Sequence, residues 1–192
     1  CGSTSIVGHG HGIHVAFPMR CRSWECRRCG PPMRRRLTAL AAGAQPTTFL
    51  TLTASVLAHR SPEAAFRHLR TAWPRFVHRL RRLRPDADIQ YLWVWETTKA
   101  GFPHLHVLLR APYIPQRWLA ATWQALAGSP VVDIRAVKDE QHAATYVAKY
   151  LTKQLSAPRG YRRWGASAGF LPEPFRMTSD DKDPGMTWEW SQ

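Results

Sequence analysis

His104 and His106 stand two residues apart in the run Pro103-His-Leu-His-Val-Leu108. Alternate residues of an extended strand share a face, so both imidazoles project to the same side. Imidazole is a good ligand for a borderline divalent metal. A single strand histidine can equally be a hydrogen-bonded core residue; the pair is what raises metal binding. Glu96 closes the run Ile89-Gln-Tyr-Leu-Trp-Val-Trp-Glu96, which reads as the partner strand of a hairpin whose turn contains Gly101. A cross-strand neighbour lies about 5 Å away at Cβ, so Glu96 can complete a facial set of two histidines and one carboxylate. A Glu at a strand end can also simply face solvent. One that follows Trp93, Val94 and Trp95 into a buried strand needs a partner.

The segment Tyr146-Val-Ala-Lys-Tyr-Leu-Thr-Lys153 carries a second set of reactive groups. At 3.6 residues per turn, Tyr146 and Tyr150 fall one turn apart on one helix face, with Lys149 and Lys153 beside them. Ala143, Val147, Leu151 and Leu155 form the apolar stripe that docks the helix. A tyrosine pair at this spacing is often core rim. A phenol with a pKa of about 10 is a poor nucleophile at neutral pH, and a neighbouring ammonium or a metal acting on the substrate lowers that barrier. His142, one turn before Tyr146, reads as solvated.

Cys1, Cys21, Cys26 and Cys29 all lie in the first thirty residues. Secreted disulfide proteins spread their cysteines through the fold. Clustering with a Cys26-x-x-Cys29 pair points to metal binding in a reducing cytoplasm. A first residue of Cys leads us to expect a piece of a longer protein, and no signal peptide is visible.

Composition bounds the partner. Lys and Arg number 27 against 13 Asp and Glu, a formal charge of +14 over 192 residues. Such an excess points first to nucleic acid and second to an anionic membrane surface. No apolar run approaches the ~20 residues of a membrane span. An apolar fraction of 44% supports a folded core and excludes a disordered chain.

The positioning elements follow from periodicity. Residues 1–30 read as a loop-built module, and Pro31-Pro32 with Arg34-Arg35-Arg36 as a basic connector. Thr48–Thr53 reads as a strand. Ser61-Pro62-Glu63 starts a helix whose apolar residues Phe66, Leu69, Trp73, Phe76, Val77 and Leu80 recur at helical spacing, with Pro74 expected to kink or interrupt it. Its polar face carries Arg67, Arg70, Arg75, Arg79, Arg81 and Arg82, which favours phosphate contact. After the 89–110 hairpin come a helix from Pro115 to Ala127, a strand at 131–137 and a helix at 140–154. The order β, α, ββ, α, β, α predicts an α+β domain, an antiparallel sheet with packed helices. Residues 159–170, with Arg162-Arg163-Trp164, read either as a DNA-contact segment or as a loop packed on the domain. The acidic end is expected to be mobile.

Thr48–Thr53, Pro103–Leu108 and Tyr146–Lys153, in that order and with Glu96 ahead of the histidines, resemble the three ordered motifs of the HUH endonucleases. The doubled Tyr-x-x-Lys is similar to that of the two-tyrosine replication initiators of phages and plasmids. The resemblance implies an RRM-like core and a Mg²⁺ or Mn²⁺ ion held by His104, His106 and Glu96. It also implies nucleophilic Tyr146 and Tyr150, with Lys149 and Lys153 neutralising charge. The implied reaction nicks single-stranded origin DNA, which is expected to be a hairpin. It leaves a 5′-phosphotyrosine and a free 3′-OH for a polymerase, and the second tyrosine permits strand transfer. A host helicase and polymerase would be partners, in a bacterial cytoplasm. The first residues resemble the zinc-ribbon-like lead segment of some initiators, implying Zn²⁺ on Cys1, Cys21, Cys26 and Cys29; His9, His11 or His14 could replace one thiolate. The expected organisation is a zinc module at 1–30, a connector at 31–45, the nuclease domain at 46–156 and a basic, aromatic tail at 157–192. A two-tyrosine transposase and a non-catalytic zinc-dependent DNA-binding protein are the alternatives.

Overall fold

The computed structural model describes residues 5–18, 21, 23–152, 161–172 and 187–191. The chain divides into two compact units, Cys1–Leu37 with Glu173–Gln192, and Thr38–Pro172. The second unit is the α+β domain read from the sequence. Its five-stranded sheet has the order β6-β3-β5-β4-β7 and every pairing is antiparallel. The strands are β3 (Thr48–Thr53), β4 (Gln90–Thr97), β5 (Pro103–Arg110), β6 (Val132–Ala136) and β7 (Trp164–Ala166).

Strand alternation sorts the side chains into two faces. Leu50, Leu52, Trp95, Leu105, Val107 and Leu109 face a single core with helices α2 (Pro62–Leu83) and α3 (Gln116–Ala127). The opposite face presents Phe49, Thr51 and Thr53 of β3, His104 and His106 of β5, and Glu96 of β4. Helix α4 (Glu140–Thr152) packs on that second face, where Tyr146 stacks on Phe49.

α2 begins as read: the Ser61 hydroxyl accepts from the Ala64 N–H at 3.2 Å, with Pro62 in the first turn. Pro74, expected to kink or interrupt this helix, lies inside one helix that runs from Pro62 to Leu83. Proline in a helix interior costs about 3 kcal/mol. Eight α2 residues are buried, and each large apolar side chain contributes roughly 1.5–3 kcal/mol, so burial outweighs the proline.

Three segments differ from the sequence reading. Most of the segment 31–45, read as a connector, lies in helix α1 (Gly30–Gly43): Pro31 and Pro32 occupy its first turn, where no backbone N–H is needed. The loop-built lead contains strands β1 (Ser5–Gly10) and β2 (Ile13–Pro18), joined by His11 and Gly12, both at positive φ. That is the two-residue hairpin turn whose twist suits paired strands. In the acidic end, Thr187–Ser191 forms β8, paired with β1. The 159–170 segment, where described, packs on the domain. Trp164–Ala166 is an edge strand on β4, Phe170 is buried, and Tyr161 packs edge-on to Phe66.

Candidate active site

Register places the reactive side chains in two rows across the sheet. In one, His104 stands between Thr53 and Glu96; in the other, His106 stands between Thr51 and Val94, with Asp133 beyond Thr51. Thr53 Oγ1 lies 3.2 Å from His104 Nδ1, and Thr51 Oγ1 lies 3.1 Å from His106 Nδ1. The two threonines orient both rings through the same nitrogen. Glu96 bonds diagonally to the other histidine, with its carboxylate 2.6 Å from His106 Nε2. His106 is buried, at 6% exposure, and the Glu96 side chain is mostly buried, so each supplies the partner that the other's burial demands.

Helix α4 brings both tyrosines to this row. Tyr146 Oη sits 3.1 Å from Thr51 Oγ1 and 3.2 Å from His106 Nδ1. The Tyr150 ring stacks on the His106 ring at 3.5 Å between centroids, and the two tyrosine rings meet edge to face at 4.7 Å. Glu96, His106, Thr51, Tyr146 and Tyr150 are therefore one contiguous cluster. Burial raises the Tyr146 phenol above its ordinary pKa. The Thr51 hydrogen bond opposes the rise, while the charges of Tyr150 and Asp133 add to it. Exposed Lys149 has its ammonium 5.4 Å from the Tyr150 ring centroid. Lys153 lies outside the described residues.

Glu96 offers a carboxylate and His104 and His106 offer imidazoles, a mixed set that suits a borderline divalent cation, although their donor atoms do not all lie within 4.8 Å of one another. The 2.6 Å approach of Glu96 to His106 is near the ~3 Å separation of two ligands sharing one cation at ~2.1 Å. The His104 and His106 rings lie parallel within 9° with centroids 6.3 Å apart. Joint ligation therefore needs one ring to turn.

Two residues of this face carried no signal in the sequence. Asp133 and Arg135 of β6 pair with Thr51 and Phe49 and so project onto the site face. Their ion pair is 2.9 Å long. The Asp133 hydrogen bond and charge raise the Arg135 pKa, with smaller contributions from Tyr146 and Tyr150. Arg135 thus places an exposed cation on the sheet face that α4 covers.

In the first unit, Cys21, Cys26 and Cys29 have sulfurs all within 4.8 Å of one another, the one such group of three His, Cys, Asp or Glu residues among the described residues. Thiolates around a tetrahedral zinc at ~2.3 Å lie about 3.8 Å apart, so this cluster can hold a metal such as zinc. Cys1, expected as the fourth ligand, lies outside the described residues. The Cys29 and Arg28 backbone amides, with the Cys21 thiol, lower Cys26 to about 7; Cys21 is raised, the Ser23 backbone bond opposing its cysteine neighbours. The turn is held tightly. A Cβ at Gly30 would come within 2.3 Å of the Trp24 carbonyl oxygen, the oxygen that accepts from Arg34 Nη1 at 2.8 Å.

A family model described as replication-associated protein ORF2/G2P matches residues 47–155, more than half of the chain and a span that includes Thr51, Glu96, His104, His106, Tyr146 and Tyr150. No curated protein and no solved structure matches the chain.

Proposed function

Because the chain belongs to the replication-associated protein ORF2/G2P family, we propose that it initiates replication as a two-tyrosine HUH nickase, cutting single-stranded origin DNA with a tyrosine nucleophile. The observation that carries this reading is the cluster in which Tyr146 Oη meets His106 and Thr51 while Tyr150 stacks on the same imidazole. A purely structural tyrosine pair has no need of a buried carboxylate–imidazole pair behind it.

Glu96, His104 and His106 would hold the Mg²⁺ or Mn²⁺ ion, which when bound polarises the scissile phosphate. The chain's own residues do the rest. Thr51 and His106 fix the Tyr146 oxygen through two contacts. The phenol is protonated at neutral pH as its ordinary pKa of about 10 requires, and burial raises it further, so its proton must leave as the oxygen attacks. Its oxygen bonds to phosphorus as the P–O3′ bond breaks. The phenol loses its proton, and the departing 3′ oxygen gains one. The products are a 5′-phosphotyrosine and a free 3′-OH. Arg135, on the same sheet face, and Lys149, beside the Tyr150 ring, offset the negative charge that develops. With one tyrosine occupied, the other is one turn away for the second attack that transfers the strand. Zinc on Cys21, Cys26 and Cys29 would serve the first unit structurally.

The test is incubation of the protein with a randomised single-stranded DNA library and Mn²⁺, followed by denaturing electrophoresis. The expected result is a denaturation-resistant protein–DNA adduct, with one sequence enriched at its 5′ end. Tight binding without an adduct would favour a non-catalytic binder.

A further inference from the structure

The outer side of the helix layer, away from His106, carries a groove that the nicking chemistry does not use. It lies between α2 and α3, encloses about 520 Å³ and is lined by Pro74, Arg75, His78, Arg79, Arg82 and Leu126. A second hollow of about 360 Å³ shares Arg79 and Arg82 with it. Among the described residues, no carboxylate pairs with Arg75, Arg79 or Arg82. The acid that α2 carries is Glu63, at the far end of the helix. α3 has none. The arginines are exposed because their spacing opposes the buried stripe Leu69, Trp73, Phe76 and Leu80.

From this we infer that the α2–α3 groove is a second DNA-binding surface, which holds the backbone of double-stranded DNA while the opposite face of the sheet works on a single strand. The proposed function contributes only the identity of the polyanion as DNA. Strand alternation puts the site on one face and α2 on the other, so a sheet and a helix of about 10 Å diameter separate the two. One phosphate cannot serve both. Along the helix axis Arg75 and Arg79 are about 6 Å apart, and Arg79 and Arg82 about 4.5 Å. That is a stepped row of guanidiniums suited to successive phosphates. The floor between them, Pro74 and Leu126, is apolar, and the aromatic rings nearby are His78 beside the groove and Trp118 in the adjoining hollow. Single strands are held by successive bases stacked on a series of aromatic rings; Trp118 is packed on the core against Phe76, and His78 by itself makes no such series. A duplex, with its bases inside and its phosphates outside, matches what the groove presents.

The experiment uses the full chain in chelator, so that no cleavage occurs. Fluorescence anisotropy follows binding to a labelled duplex of about 20 base pairs, to oligo(dT) of the same length and to anionic lipid vesicles, between about 50 and 200 mM salt. The triple variant Arg75→Ala/Arg79→Ala/Arg82→Ala should lose at least 10-fold in duplex affinity, and its log–log salt slope should flatten by about 0.9 per lost phosphate contact, near 3 in all. The triple Lys variant, which keeps the charges, should retain most of both, and circular dichroism should be unchanged because the three side chains are exposed. Duplex binding with unchanged affinity and slope would overturn the inference. So would a loss as large on oligo(dT) as on duplex, or a loss confined to the vesicles. Failure of the nicking reading would leave this binding test standing, and failure of this test would leave the adduct test unaffected.

Discussion

Glu96 and His106 are not register partners, yet they make a short polar contact: the carboxylate reaches diagonally past His104 to bond His106 Nε2 at 2.6 Å. The carboxylate is thereby tied to the histidine that touches both tyrosines, while His104 is held from the other side by Thr53. Glu96→Gln keeps the shape and removes the charge. It should lower adduct formation by roughly 10²-fold or more while leaving affinity for single-stranded DNA nearly unchanged, because surface cations dominate binding. His104→Ala should behave likewise. Adduct kinetics beside anisotropy check both, and a normal rate in either variant would remove that residue from the metal set.

Thr51 bridges His106 Nδ1 and Tyr146 Oη. Thr51→Val is close to isosteric and removes both hydrogen bonds. The expected cost is about 1 kcal/mol, seen as a fall in Tm of roughly 2–4 °C for a chain of this size. Nicking should slow by about 10-fold, the scale of one lost orienting contact. Unchanged kinetics would show that the threonine is packing alone.

The buried Tyr146 phenol has its pKa raised in the folded protein. A group of this sign contributes stability that is fully present below its unfolded pKa of about 10 and is lost as pH rises through the higher folded value. Wild type should therefore lose Tm relative to Tyr146→Phe as pH rises above about 10. Thermal melts of the two proteins across that range test this, and a difference independent of pH would contradict it.

Cys26, lowered to about 7, is substantially thiolate at neutral pH, whereas Cys29 is buried. Without metal, iodoacetamide should modify Cys26 first. Stoichiometric zinc should protect Cys21, Cys26 and Cys29 together, and Cys26→Ser should abolish that protection. Peptide mapping of the alkylated protein reads the outcome; zinc that leaves Cys21 labelled would break the three-cysteine site.

Local periodicity made the core of this site legible. Period two placed His104 and His106 on one face, a short turn put Glu96 within reach, and period 3.6 aligned Tyr146 with Tyr150. The rest depends on long-range pairing. Asp133 and Arg135 reach the site because β6 pairs with β3 in one register, and a slip of one residue would have turned both away. The β1–β2 hairpin carries little strand signal because Gly8, His9, Gly10, His11 and Gly12 are not the β-branched and aromatic residues that mark strands. Helix α1 was hidden by Pro31-Pro32, which break a helix interior but fit its first turn.

The central claim is that the two tyrosines on α4 are the nucleophiles, and peptide mapping of the trapped DNA adduct by mass spectrometry tests it most directly. Phe keeps the ring packing on Phe49 and His106 and removes only the hydroxyl. DNA is expected on Tyr146 or Tyr150 in the wild type, and on the remaining tyrosine in each single Phe variant, with the coupled strand transfer lost. The double variant should bind single-stranded DNA and form no adduct. An adduct mapped to any other residue, or one of wild-type yield in the double variant, would contradict the account.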